Sequence, residues 1–270
     1  FAFFAVAASF GIGNLTQGNS IADAFHNICG VPMWIVGIVV GAATLVIVVG
    51  GLKSISKVSS FVVPAMAIFY FVGALAVILT HITAVPGAFV DMFRMAFSVK
   101  AVGGGVAGSV VASMAQAMNK GVARGCFSNE AGMGSAAITA SAATTDNYIR
   151  QGYISSTGTF WDTFVVCTVT GLAVLSSGAM NTITFAADGT PSPQGASLTI
   201  AAFESTLGPI GAWLVAISLA LFAFSTILGW NLFGKINVEY MFKGKATKLY
   251  MVIALVFIFL GTLASNDLVW

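Results

Sequence analysis

Seven uninterrupted apolar stretches, most of them about 17 to 25 residues long, decide what this chain can fold into. In hydrocarbon every backbone N–H and C=O must find a partner within the protein, and only helices and closed barrels achieve that. Barrel strands would read as alternating runs of about ten residues, whereas these stretches are continuous. The expected fold class is therefore an all-α multi-pass membrane protein. Composition excludes a soluble domain: 58% of the residues are hydrophobic and 7% are charged, with a mean hydropathy of +0.96, where soluble domains carry roughly 25% charged residues.

The spans are expected at 1–24, 34–52, 61–82, 109–143, 160–176, 210–233 and 249–264. Two shorter pieces, 86–97 and 198–207, mix apolar residues with Asp91, Arg94 and Glu204, and are expected at the interface or over a vestibule. No low-complexity linker divides the chain, so residues 1–270 read as a single transmembrane domain. The chain starts at Phe1 with no methionine or basic leader and stops at Trp270 just after an apolar stretch. Both ends look cut, and the domain is expected to be incomplete. Cys29, Cys126 and Cys167 are too widely spaced for a metal motif or a disulfide framework.

Orientation follows from lysine and arginine. If the seven spans alternate, Lys53, Lys57, Arg150, Lys235, Lys243, Lys245 and Lys248 fall on one side, which marks the cytoplasm. The connection 178–208 carries no lysine or arginine and is expected outside, as is the loop around 23–33. Only Arg94, Lys100, Lys120 and Arg124 lie on or toward that outer side. The first span would run outward and the fourth inward.

Residues 121–135 put Arg124, Asn129 and Glu130 among four glycines inside the fourth apolar stretch. Each glycine lowers helix propensity by about 1 kcal/mol relative to alanine, and Ser128, Asn129 and Glu130 can bond back to the local backbone. A break near 127–131 is expected. It would present carbonyls at the end of one half-helix and amides at the start of the next, dipole ends that bind ions at bilayer depth. The alternative is that the glycines only let helices pack closely. Glu130 would be either a coupling-ion or proton site, or a carboxylate that fixes the break. Arg124 would line the entry path or reach to the headgroups.

Three further groups are polar within apolar surroundings. Asn14 and Gln17 share a helical face in the first span, with Asn19 near its outer end, where amides suit an uncharged or zwitterionic solute or act as interhelical glue. Ser225 and Thr226 in the sixth span offer hard oxygens to a small alkali cation, or simply bond the carbonyl a turn back. Asp162 and Thr163 would gate the fifth span or sit at the interface.

Phe127-Ser-Asn-Glu-Ala-Gly-Met-Gly-Ser135, preceded by Gly121-Val-Ala-Arg-Gly125, resembles the signature of the alanine or glycine:cation symporters, the sodium:alanine symporter family. Agreement continues in order through Ser9-Phe-Gly-Ile-Gly-Asn14 with Gln17 and Asn19-Ser-Ile-Ala22, then Gly50-Gly51, Val63-Pro-Ala-Met66 and Phe222-Ala-Phe-Ser-Thr-Ile-Leu-Gly-Trp230. The resemblance implies a five-plus-five inverted-repeat fold. This chain would begin at the third core helix and end near the ninth, without the first core helix. It further implies that Phe127, Ser128 and Asn129 lie beside the substrate amine and small side chain. Gln17 would reach in from the third core helix, and Ile227 and Trp230 would border the pocket. Ser225 and Thr226 would be sodium ligands, with Glu130, Arg124 and Asn14 left as coupling or gating candidates. Cys126 stands where an aliphatic residue is expected.

The implied function is secondary active transport, the sodium-coupled symport of alanine or glycine across the plasma membrane. Sodium would be the coupling ion; the partners would be small neutral amino acids and the lipid bilayer, with no cofactor and no nucleic acid. Two other classes fit less well. A channel would usually repeat its filter by symmetry, and the break occurs once in these residues. An intramembrane metallo-hydrolase lacks its motif, since no H-E-x-x-H occurs and His26 and His81 sit near span ends.

Overall fold

The computed structural model describes residues 1–97, 122, 129, 134–141, 143–185, 191–192 and 195–269. Its helices are α1 (Ala2–Ala8), α2 (Thr16–Cys29), α3 (Met33–Val49), α4 (Gly51–Thr80), α5 (Val85–Phe97), α6 (Ala136–Ala140), α7 (Tyr148–Thr159), α8 (Cys167–Ser176), α9 (Ala196–Leu207), α10 (Pro209–Phe242), α11 (Thr247–Leu263) and α12 (Asn266–Val269). Two π-helical segments, Ser9–Leu15 and Phe160–Val166, join α1 to α2 and α7 to α8. Two-residue strands, β1 (Thr184–Phe185) and β2 (Pro191–Ser192), pair antiparallel with Thr184 opposite Ser192. The all-helical expectation is borne out. Gly51–Thr80, Tyr148–Ser176 and Pro209–Phe242 are each long and apolar enough to cross a membrane, with α3 and α11 as shorter apolar helices.

Several helices start earlier or run further than expected. Lys53 and Lys57 belong to α4, Arg150 to α7 and Lys235 to α10, although all four were expected in loops. Lysine and arginine are good helix formers, so a helix passes from apolar sequence through them until something stops it. The stops are specific. Gly30 ends α2 at φ 67°, its N–H returning to His26 O, the left-handed cap that glycine adopts without strain. Gly208 at φ 65° precedes Pro209, which occupies the first turn of α10 where a missing N–H costs nothing.

The chain forms two compact units. The first comprises Phe1–Gly73, Gly195–Ile200 and Leu207–Trp270. In it α2, α3, α10 and α11 pack together. The core gathers Ile21, Ala22, Val36, Val40, Ile227 and Ile258, and a second cluster joins Val48 and Ile55 to Leu228 and Leu232. Along α3 the residues Val36, Val40, Thr44 and Val48 are buried while Ile38, Val39, Leu45 and Val46 are exposed. A four-residue period of burial with apolar residues on the outer face is what a helix with lipid on one side shows.

The second unit comprises Ala74–Gln194 and Ala201–Thr206. Here α5 packs on α8, and Asn147 caps α7 by accepting from the N–H groups of Ile149 and Arg150 at 3.0 and 3.1 Å. Residues 109–121 and most of 123–133 lie outside the described residues. Asn129 belongs to no helix, and Gly134 has φ 75° just before α6, so 109–143 is not one continuous helix.

Candidate functional site

Ser9, Asn14, Thr16 and Asn19, which would be costly against lipid, are all at most 2% exposed. The π segment explains part of this arrangement. Thr16 N–H donates to Gly11 O, five residues back. As the ladder returns to four-residue spacing in α2 it passes over one carbonyl, and Gln17 Nε2 donates to Ile12 O at 3.3 Å. Gln17 is thereby held within its own helix, half-buried.

Asn14 points to α10. Its Oδ1 accepts from Asn231 Nδ2 at 2.7 Å, and the second proton of that amide goes to Ile227 O at 2.8 Å. Asn14 Nδ2 is buried with no partner among the described residues, a condition worth about 1–3 kcal/mol per donor. The neighbouring Gly13 lies against Trp230, where a Cβ would overlap the indole's own Cβ and Cγ. Trp230 is buried and meets Phe233 edge-on at 5.6 Å, while Ile227 is fully enclosed in the apolar core.

Ser225 and Thr226 both donate to a single acceptor, Phe222 O, at 2.8 and 3.0 Å. A hydroxyl whose proton is committed to a carbonyl keeps its lone pairs for something else. Both side chains are half-buried. Their hydroxyl oxygens are neutral, hard ligands of the kind an alkali ion accepts in place of water.

Two more bonds tie the continuous helical stretch 2–29, the first helix, to α11 and its C-cap residue Ala264. Tyr250 donates its hydroxyl to Ser9 Oγ at 3.0 Å, and Asn19 Nδ2 donates to Ala264 O at 2.7 Å. Within this unit, then, Asn14 meets Asn231 and Gly13 meets Trp230 across two helices. Ser225 and Thr226 lie about one and a half turns before Asn231 on α10.

In the second unit Thr159, the last residue of α7, donates to Asn129 Oδ1 at 3.1 Å. Asp162 lies in the first turn of the π segment that follows, half-buried, and Thr163 Oγ1 donates to its Oδ2 at 3.5 Å. Arg124, Phe127, Ser128, Glu130 and Cys126 lie outside the described residues.

Two residues in these networks were not among those expected from the sequence. Asn231 could have been found, because an amide inside an apolar helix calls for a partner. Thr159 carries no such signal: its partner is thirty positions away.

Residues 1–270 match the sodium:alanine symporter family. The chain belongs to this family. It is 43% identical over 270 residues to the sodium/alanine symporter AgcS of Methanococcus maripaludis, covering all of this chain and 57% of that protein. It is 35% identical over 273 residues to a Bacillus subtilis protein named probable sodium/glutamine symporter GlnT, covering 100% and 54%. A sodium/proton-dependent alanine carrier protein of Bacillus sp. strain PS3 is 34% identical over 264 residues, covering 94% and 58%. The chain thus spans a little over half the length of these relatives.

Proposed function

We propose that this protein is a sodium-coupled symporter of alanine or glycine in the plasma membrane, crossing it several times with the lysine- and arginine-bearing connections toward the cytoplasm. The observation that carries the reading is the family match along the whole chain, supported by relatives named for sodium and alanine. The chemistry of the first unit is compatible with it. Ser225 and Thr226 offer lone pairs to sodium while their O–H groups go on donating to Phe222 O. Gln17 exchanges its weak bond to Ile12 O for the substrate, with Ile227 and Trp230 as a rigid border behind it. Asn129, with Phe127 and Ser128, supplies the substrate contacts that the family resemblance assigns to the broken helix. Glu130 and Arg124 keep their place as coupling or gating candidates. Sodium binding lowers the free energy of the outward-open, substrate-ready state, and both solutes then move inward together.

The test is uptake of labelled alanine by the full-length protein in liposomes. An inward sodium gradient should drive accumulation above the external level, and replacing sodium with choline should abolish it. Unlabelled glycine should compete. Competition by glutamine in place of glycine would move the substrate class to larger neutral amino acids. Equilibration without accumulation would favour a channel and contradict symport.

A further inference from the structure

We infer that the buried amide pair Asn14–Asn231 is the positioning link that makes alanine binding and sodium binding depend on each other. The inference rests on the symport reading above and adds two residues with a defined role.

Three observations carry it. The pair joins the two helices of the first unit on which the polar side chains are divided. Gln17 is three residues after Asn14, and Ser225 and Thr226 are six and five residues before Asn231. The bond is short, fully buried and spans 217 positions of sequence. Each helix has a local feature next to it that would follow a movement. On the first helix, Asn14 lies in the π segment whose skipped carbonyl, Ile12 O, holds Gln17. On α10, Asn231 bonds the carbonyl of Ile227, the residue after Thr226. A shift of Asn231 is thus passed to Asn14 and to the carbonyl that receives Gln17.

The third observation is the unsatisfied donor. Asn14 Nδ2 is buried beside this bond with no partner among the described residues. A pair that served only as glue would be expected to use its full bonding capacity, because an unpaired buried amide donor is costly. A second arrangement of the two helices in which this donor gains a partner would be favoured by the bond it forms. Ligands that favour one arrangement over the other couple through such a pair, and the coupling is reciprocal.

The experiment measures that reciprocity in the full-length protein. Equilibrium binding to the purified protein is measured without turnover: the dissociation constant of alanine without sodium and at saturating sodium, and that of sodium without alanine and at saturating alanine. In the unaltered protein each ligand should tighten the other by the same factor, about fivefold or more. Asn14→Leu and Asn231→Leu should each reduce that factor to below about twofold. The double variant should lose no more than either single one, since the residues act as a unit. The double variant also guards against misfolding, because replacing both partners with apolar groups of similar shape leaves no orphaned amide.

Tyr250→Phe is the control. Among the described residues it deletes the other buried bond between side chains of the first helix and its neighbours, to Ser9, and should leave the factor unchanged. Loss of coupling in Tyr250→Phe to the same degree as in the asparagine variants would reduce the pair to ordinary packing and overturn the inference. So would an unchanged factor in the double leucine variant. An unaltered protein whose alanine uptake ignores sodium would instead sink the symport reading itself, and the two failures are told apart by the liposome uptake test.

Discussion

Gly13 shows how a single missing side chain holds two helices together. A Cβ at this position would overlap Trp230, while one at Gly11, half a turn earlier, would meet nothing within 4 Å. Small residues let helices approach where lipid offers no hydrophobic drive for association. Gly13→Ala should therefore destabilise the protein by about 1–3 kcal/mol, as overpacking does, and lower the melting temperature in detergent. Gly11→Ala should stay within about 1 kcal/mol of the unaltered protein. Equal melting temperatures for the two variants would mean that Trp230 does not seat on the first helix. Thr226 permits a second comparison. Thr226→Val keeps the shape and removes an oxygen. It should raise the sodium concentration for half-maximal uptake about tenfold, a loss of ~1.4 kcal/mol, with alanine affinity at saturating sodium little changed. An unchanged sodium dependence would leave the hydroxyl as no more than a partner of Phe222 O.

Among the elements, the interrupted helices carry the polar chemistry. Asn129 lies in no helix and is held by Thr159 at the junction between α7 and a π segment. If that bond aims the amide, Asn129→Ala should abolish uptake with the protein still reaching the membrane. Thr159→Val, which removes the donor and keeps the shape, should reduce uptake partially. Full uptake in Asn129→Ala would remove the reason for placing substrate chemistry at the break. The helices themselves were legible in the sequence because apolar runs of spanning length have few other solutions. Their starts were not: Lys53, Lys57 and Arg150 looked like loop residues, and the helices continue through all three. The π segments were not anticipated: Gly11 and Gly13 weaken the helix at Ser9–Leu15 without saying how it departs from α, and Phe160–Val166 contains no glycine at all. What distinguishes them is one residue of spacing in the hydrogen-bond ladder.

On the scale of the whole molecule, polar residues in an apolar chain marked where chemistry belongs, but not what each one meets. Asn14 stood out in the first span, and its partner Asn231 is 217 positions away. No periodicity reaches that far. Ser225 and Thr226 illustrate the converse: both the cation reading and the backbone-bonding reading were open, and the bond of each hydroxyl to Phe222 O is compatible with both at once. Ile227 and Trp230, expected to border a pocket, are buried in helix packing. That position suits a rigid wall better than a mobile contact.

The central claim is that sodium and a small amino acid move together, and the most direct measurement reverses the usual driving force. Liposomes holding the full-length protein are prepared with equal sodium on both sides, the membrane potential clamped at zero, and an inward alanine gradient as the sole source of free energy. The account predicts transient accumulation of labelled sodium inside, which decays as the alanine gradient dissipates and is absent in Asn129→Ala. Sodium that stays at equilibrium while alanine enters would show that the two fluxes are not coupled, and would contradict the account.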